Sequence, residues 1–341
     1  MATITSREIH LASRPEGMPH AGNFALVETQ LDAPAGDEVL VRNLFMSVDP
    51  YMRGRMIERK SYVPPFQVGA ALEGHAVGEV VASADSHFQP GDLVKHMKGW
   101  REYALVNSKD LSALPPDTGV PVQAFLGVLG MPGLTAYAGL LRIGELKEGD
   151  TVFVSAAAGA VGSIVCQIAR ARNCTVVGSA GSDEKCAWLR QEAGIDAAIN
   201  YKTCGTLTAA VAAACPKGID VYFENVGGEH LEAAIDNMRP FGRIAMCGMI
   251  AQYNATEPQA GPHNLIQVVG KQLKIQGFIV SSHMDMAHDF QRDMVQWIRA
   301  GKMRWQETIV EGIEQAPQAF IKLFTGENLG KMLVRLGSLP G

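Results

Sequence analysis

The spacing of apolar positions along the 341-residue chain changes character near Gly127. Before it, short apolar runs such as Val39-Leu40-Val41, Val80-Val81-Ala82 and Leu93-Val94 alternate with turn-forming clusters, among them Pro90-Gly91-Asp92 and Pro115-Pro116-Asp117. Runs this short, punctuated by Gly and Pro, predict the strands of a small β-barrel or sandwich. After Gly127 the pattern predicts strands at 151–155, 174–178, 197–200, 220–224, 243–247 and 273–279. Helical stretches fall between them at 161–171, 183–192, 206–214, 229–238 and 265–271. Strands that are apolar throughout, in strict alternation with helices, predict a parallel sheet covered on both faces. A last helix, 316–324, and strand, 331–336, are expected to return to the β-rich part. The expected organisation is α/β with two domains, 1–125 completed by about 311–341, and 126–310.

Composition narrows the class. Apolar residues make up 47% and charged ones 19%, which excludes a disordered or fibrous chain. The net charge of −5 gives no electrostatic reason to expect nucleic acid or an acidic membrane as partner. Met1 to His10 is polar, with Arg7 and Glu8, and no run approaches 18 apolar residues, so a cytoplasmic protein is expected. The six cysteines, Cys166, Cys174, Cys186, Cys204, Cys215 and Cys247, form no Cys-x-x-Cys pair and read as free thiols. Glycine is in surplus, 36 of 341 against a usual share of about 7%.

Part of that surplus lies after the first parallel strand. Val152-Phe153-Val154-Ser155 runs into Ala156-Ala157-Ala158-Gly159-Ala160-Val161-Gly162 and then a helix. On the dinucleotide-binding fingerprint Ala157, Gly159 and Gly162 take the three glycine positions. A side chain at the second would keep the backbone from a pyrophosphate, and one at the third would push the helix off the sheet. The helix N-terminus would face the phosphates with its free N–H groups. A plain strand–helix turn is the alternative, disfavoured by the six-strand setting. The second strand ends Val176-Val177-Gly178-Ser179-Ala180-Gly181 without the acid that binds a ribose 2′-hydroxyl. Asp183 reads as a helix-start residue. An acid-free end leaves room for a 2′-phosphate that Lys185 could pair with, which favours NADP over NAD.

With these residues placed, the chain resembles the zinc-independent branch of the medium-chain dehydrogenase/reductase superfamily, in particular the leukotriene B4 12-hydroxydehydrogenase/prostaglandin reductase group. Within it the chain is most similar to bacterial NADPH-dependent curcumin reductases. The resemblance rests on the stretch Leu44 to Met56, on Gly127 to Tyr137, on Glu224-Asn225-Val226-Gly227-Gly228, on Cys247 to Asn254 and on Asn328-Leu329-Gly330-Lys331. It implies a GroES-like β-rich catalytic domain beside a Rossmann domain with a doubly wound six-stranded sheet, the active site lying in the cleft between them, and a homodimer with Rossmann sheets meeting edge to edge. It also implies NADPH contacts at Gly159, Ala160, Val161, Gly162, Ser163, Lys185, Tyr201, Asn225, Cys247, Gly248, Tyr253, Phe278, Ile279, Val280 and Asn328.

No metal is expected. The superfamily's zinc enzymes carry a cysteine where this chain has Asp49-Pro50, the first 165 residues hold no cysteine, and His75 falls one place late. Reduction of a carbonyl generates an alkoxide that calls for zinc or a strong acid. Conjugate reduction places hydride on the β-carbon and charge on an enolate oxygen, which hydrogen-bond donors can stabilise by about 3–4 kcal/mol each. Tyr253 and Tyr51 are the candidate donors, and the resemblance favours Tyr253; ordering of a loop is its alternative role. Tyr62, Met249 and Ile250 are candidate substrate contacts, with Phe278 and Ile279 as further wall residues, each also compatible with plain packing. For Arg53 and Arg55 the simpler account is one solvated arginine and one structural ion pair, against attraction of an anionic substrate. The expected activity is NADPH-dependent C=C reduction of apolar α,β-unsaturated ketones and alkenals. Quinone reduction and NADPH binding without turnover are the alternatives.

Overall fold

The computed structural model describes residues 3–116 and 119–338. Met1, Ala2 and Asp117, which enter the expected polar N-terminus and one expected turn, lie outside the described residues. The chain divides into two compact units. One comprises residues up to 126, 307–328 and those from 332 onward; the other comprises 127–306 and 329–331.

The first unit is built from β1 (Ile4–Leu11), β2 (Phe24–Leu31), β3 (Glu38–Ser47), the single turn α1 (Met52–Arg55), β4 (Ala76–Ser83), β5 (Leu93–His96), β6 (Tyr103–Asn107) and β7 (Ser112–Ala113). β1 and β2 form an antiparallel pair in register from Ile4–Leu31 to Leu11–Phe24. β3 is buried on both faces and lies antiparallel to both β4 and β6. That position at the centre of the sheet explains why its apolar residues run together instead of alternating.

The second unit opens with α2 (Met131–Ala138). It then alternates β8 (Thr151–Val154), α3 (Gly162–Ala171), β9 (Thr175–Ala180), α4 (Asp183–Gln191), β10 (Ala197–Asn200), α5 (Leu207–Ala214), β11 (Ile219–Glu224) and α6 (Glu229–Asn237). β12 (Met238–Met246), α7 (Ile266–Gly270), β13 (Lys274–Gly277) and α8 (Ala287–Arg299) follow. The six strands pair in the order β10-β9-β8-β11-β12-β13, all parallel. Winding reverses between β8 and β11, which makes a topological switch point at the carboxyl ends of those two strands. Phe153 and Tyr222 stack there at 5.2 Å, both fully buried. The chain then returns to the first unit as β14 (Glu307–Glu311), α9 (Ala316–Thr325) and β15 (Lys331–Arg335), with β15 antiparallel to β3.

The doubly wound parallel sheet and the separate β-rich unit agree with the expected fold class. Several details differ. α2, α8 and β14 were not anticipated. α8 was legible at helical spacing, since Phe290 and Met294 are its buried residues and Trp297 follows one turn on. β12 starts at Met238, five residues before the expected 243, because Pro240-Phe241-Gly242 reads as a turn in sequence. In space it is a bulge, with Phe241 at φ +65° and the pairing to β11 resuming at Arg243. β13 stops at Gly277, so Phe278 and Ile279 lie beyond the strand that was expected to contain them.

Among the described residues no helix is long and apolar enough to cross a membrane. All six cysteines are free thiols.

Candidate active site

The loop after β8 owes its shape to missing side chains. Ala156 takes a left-handed conformation at φ +47°, and its carbonyl accepts the Gly159 N–H at 2.9 Å. A Cβ on Gly162 would collide with that same carbonyl and stand 2.9 Å from Ala157 Cα, so α3 can begin there only with glycine. Ala157 fills the first fingerprint position, and its methyl fits because β9 carries Gly178 opposite. A Cβ on Gly178 would come within 2.6 Å of it. The alanine that weakens the motif in sequence is therefore compensated on the adjacent strand. At Gly159 the nearest protein atom to an added Cβ is the Ala156 carbonyl at 3.2 Å. Packing inside the protein thus leaves open the position that the fingerprint reserves for a pyrophosphate. Gly330 seals the other side of the loop, donating to the Ala158 carbonyl at 2.8 Å and bridging Gly159. Ala160 and Val161 are half-buried, and Ser163 is buried in the first turn of α3.

The end of β9 forms a second locus. Ser182 caps α4 by accepting the Lys185 N–H at 3.3 Å. Asp183, in the first turn of α4, accepts a hydrogen bond from Asn200 Nδ2 at 2.8 Å. Gly181 leaves a gap against which Tyr201 and Lys202 close. A Cβ there would stand 2.9 Å from Tyr201 Oη and 3.3 Å from Lys202 Cε. Tyr201 packs edge-on against the buried His230 ring at 5.0 Å. Burial pushes the Lys185 pKa down, and the Lys202 charge pushes it further. Lys202 was not singled out from the sequence; a cation beside Tyr201 at the end of the third strand was the available signal.

The third locus is the switch point. Ser155 directly follows β8 and Glu224 ends β11, both fully buried. Ser155 Oγ donates to Glu224 Oε1 at 2.9 Å and accepts the Asn225 N–H at 2.8 Å, while Asn225 Nδ2 donates to the Ser155 carbonyl at 2.8 Å. The Glu224 carbonyl takes the N–H groups of Cys247 and Gly248 at 2.9 and 3.1 Å. The Glu224 carboxyl thus joins the loops after β8 and β11, accepting from Ser155 and from the Val226 N–H at 2.6 Å, while its backbone carbonyl holds the loop after β12; desolvation raises the carboxyl pKa. Burial likewise pushes the Cys247 thiol up to about 12, the Glu224 charge adding to it. Tyr253 follows a short turn over 250–252, and its Oη accepts the Met249 N–H at 3.4 Å. A Cβ on Gly248 would come 3.0 Å from that oxygen. Met249, Ile250, Phe278, Ile279 and Val280 are all half-buried rather than core residues. Phe278 meets Phe223 edge-on at 6.3 Å in space kept by Gly139.

Gly159 to Ser163, Lys185, Tyr201, Asn225 and Cys247 to Tyr253 therefore gather along the carboxyl edge of one sheet. Tyr51, Tyr62 and Asn328 belong to the other unit. Tyr51 is largely enclosed. Burial pushes its phenol pKa up and Asp49 adds to the effect, so it stays a neutral donor. Tyr62 is 61% exposed in the segment after α1. The expectation of a solvated arginine is corrected: Arg53 and Arg55 are both buried. Arg53 donates to the Gly17 carbonyl at 2.8 Å. Arg55 pairs with Glu73 at 2.9 Å and lies over the Phe66 ring. Neither is free to draw substrate.

Comparison with known proteins follows these features. Residues 7–114 match the family described as the N-terminal domain of oxidoreductase, and 160–300 the family described as zinc-binding dehydrogenase. The chain is 43% identical over 331 residues to the NADPH-dependent curcumin reductase of Escherichia coli, covering 96% of this chain and 95% of that one. It is 42% identical over 335 residues to the NADP(+)-dependent 2-alkenal reductase of Nicotiana tabacum, with 97% of each covered. The crystal structure of CurA from Vibrio vulnificus in complex with NADPH superposes with a TM-score of 0.93 at 42% identity, covering 97% of this chain and 99% of that one. Zinc, named in one of the family descriptions, does not fit this donor set. Among the described residues no three His, Cys, Asp or Glu side chains come together as a metal-ligating group.

Proposed function

The chain belongs to the zinc-independent medium-chain dehydrogenase/reductase family, and from that premise we propose that it reduces the C=C bond of α,β-unsaturated ketones and 2-alkenals with NADPH. The observation that carries the reading is Tyr253, a phenol oriented by the Met249 N–H over side-chain-free Gly248 beside the switch-point network. It is a donor placed where cofactors of this fold bind.

NADPH, when bound, supplies the hydride. Gly159 to Ser163 would hold its pyrophosphate, Lys185 and Tyr201 its 2′-phosphate, and Asn225, Cys247, Gly248 and Phe278 to Val280 the nicotinamide half, with Asn328 as a further contact. Ser155 and Glu224 orient Asn225 through both its backbone and side-chain N–H groups. Tyr253 donates a hydrogen bond to the substrate oxygen as enolate charge develops there, stabilisation that matters most in the transition state. Tyr51 is a second neutral donor. Met249, Ile250 and Tyr62 contribute apolar surface for the substrate. In this scheme residues 126–310 form the cofactor domain, and residues 1–125 with 311–341 the catalytic one.

A cytoplasmic setting accords with six unbridged thiols. A homodimer accords with the sheet edge at β13, where Ile275 is 38% exposed and the preceding α7 carries Ile266 at 77% and Val269 at 74%. Light scattering of Ile266→Glu against wild type tests the dimer, and a monomeric wild type would reject it.

The activity test mixes purified protein and NADPH with enones, quinones and simple aldehydes while NADPH absorbance is followed. Enone-dependent oxidation that yields the saturated ketone supports the reading. Turnover with quinones alone, or NADPH binding without turnover, rejects it.

A further inference from the structure

α2 does not end as a regular helix. After Ala138 it opens into one π-helical turn over Gly139–Ile143, closed by the Gly144 N–H donating to the Gly139 carbonyl at 2.8 Å. Turns of this kind are rare and occur mostly at functional positions. The far end of this one is held by β12, where Arg243 donates to the Gly144 and Glu145 carbonyls, each at 3.1 Å. Two residues of the turn meet the segment that follows β13. A Cβ on the buried Gly139 would collide with Phe278 Cζ and stand 2.7 Å from Phe223 Cε2. The Phe278 ring is thereby seated on bare backbone, with Phe223 edge-on at 6.3 Å and His283 at 6.2 Å. Three residues along the turn, Arg142 makes a bidentate ion pair with Asp285 at 3.0 and 2.8 Å. Its Nη1 also lies 3.3 Å from His283 Nδ1. One helical turn therefore holds residues 278–285 at both ends, by shape under Phe278 and by charge at Asp285.

We propose that this π-helical turn sets the position of Phe278–Val280 against the nicotinamide half of NADPH, with Gly139 and Arg142 as the positioning residues. The inference rests on the NADPH reading and adds two residues that touch no cofactor in it. Gly139 fixes how deep the Phe278 ring sits, and Arg142 keeps the chain beyond it from swinging away.

Calorimetry with NADPH and with adenosine 2′,5′-bisphosphate, which lacks the nicotinamide half, reads the effect. Gly139→Ala is expected to weaken NADPH about tenfold, by overpacking against Phe278, and to leave the bisphosphate unchanged. In a Phe278→Leu background, where the ring edge is gone, the same substitution should cost about threefold at most. Arg142→Gln, on the surface, should weaken NADPH about two- to threefold, and should cost nothing more in an Asp285→Asn background. This second cycle carries the test by itself if Gly139→Ala does not fold. Equal losses for both ligands, no loss for either, or losses that simply add in the double variants overturn the proposal and leave the NADPH reading standing. A wild type that does not bind NADPH overturns that reading and this inference with it.

Discussion

The loop after β8 and the loop after β12 lie on the same edge of the same sheet, yet they are built on opposite principles. The first is defined by what it lacks: Gly162, Gly159 and Gly178 let backbone approach backbone, and Ala157 occupies the only space left over. The second is held by polar groups: the Glu224 carbonyl takes the Cys247 and Gly248 N–H groups, the Asn225 carbonyl takes the Ile250 N–H, and the Tyr253 phenol accepts the Met249 N–H. Shape made by small residues fits a ligand group that is the same in every turnover. Oriented polar side chains suit an atom whose charge changes during reaction. On the proposed function the difference separates binding from chemistry, and substitutions on either side should divide along that line.

The largest effect is expected at Gly162→Val. The added side chain must displace the Ala156 carbonyl, so NADPH affinity should fall by on the order of a hundredfold or more and the melting temperature should drop. Titration calorimetry and thermal melts read both, and intact affinity would show that the loop does not hold the cofactor. Tyr253→Phe belongs to the other side. Loss of one donor at a developing oxyanion should lower kcat by on the order of a hundredfold, with the NADPH dissociation constant nearly unchanged. A variant that loses NADPH binding and keeps kcat would reverse the assignment.

A smaller test concerns the support beneath Tyr201. His230 is buried, its Nε2 has no hydrogen-bond partner, and burial holds its pKa down at about 4. The unfolded value lies near 6.5, so on acidification the unfolded chain takes the proton first, and stability falls from about pH 6.5 down to about pH 4. At pH 5 that is about 2 kcal/mol. Urea unfolding at pH 5 and pH 7.5 should find the acid loss smaller in His230→Leu than in wild type by about this amount, whereas an equal acid sensitivity in the two proteins would sink the idea. The burial-depressed His96, at about 3 in the β-rich unit, contributes to both. The smallest effect is expected at Lys185→Ala, which should weaken NADPH about tenfold and NADH hardly at all. Equal weakening of the two cofactors would remove the 2′-phosphate from that end of β9.

The alternation of apolar strands and helices is local information, and it is enough to give a parallel sheet covered on both faces; the place where the winding reverses is not. The phosphate loop was legible for a similar reason: its chemistry is contained in eight consecutive residues after a strand. The early start of β12 was not legible, because Pro240-Phe241-Gly242 has turn composition and only the pairing of Met238 and Arg243 with β11 on either side of it makes it a bulge within a strand. In the proposed site, Asn225 and Tyr253 are legible as candidates through their motifs. The partners that orient Asn225, Ser155 and Glu224, lie 70 residues apart or directly before it on a strand that reads as core.

The sequence by itself determined the two-unit α/β plan, the glycine positions of the phosphate loop, the acid-free end of β9 and the absence of a thiolate from the first 165 residues. Each depends on residue identity within a short stretch. Only the tertiary structure decided that Gly178 makes room for Ala157, that Asn200 restrains Asp183 while setting Lys202, that Arg53 and Arg55 are enclosed, and that one buried glutamate, through its carboxyl and its backbone carbonyl, joins three loops. These are contacts between residues distant in the chain, and what selects them is the packing of strands side by side, which no local pattern encodes.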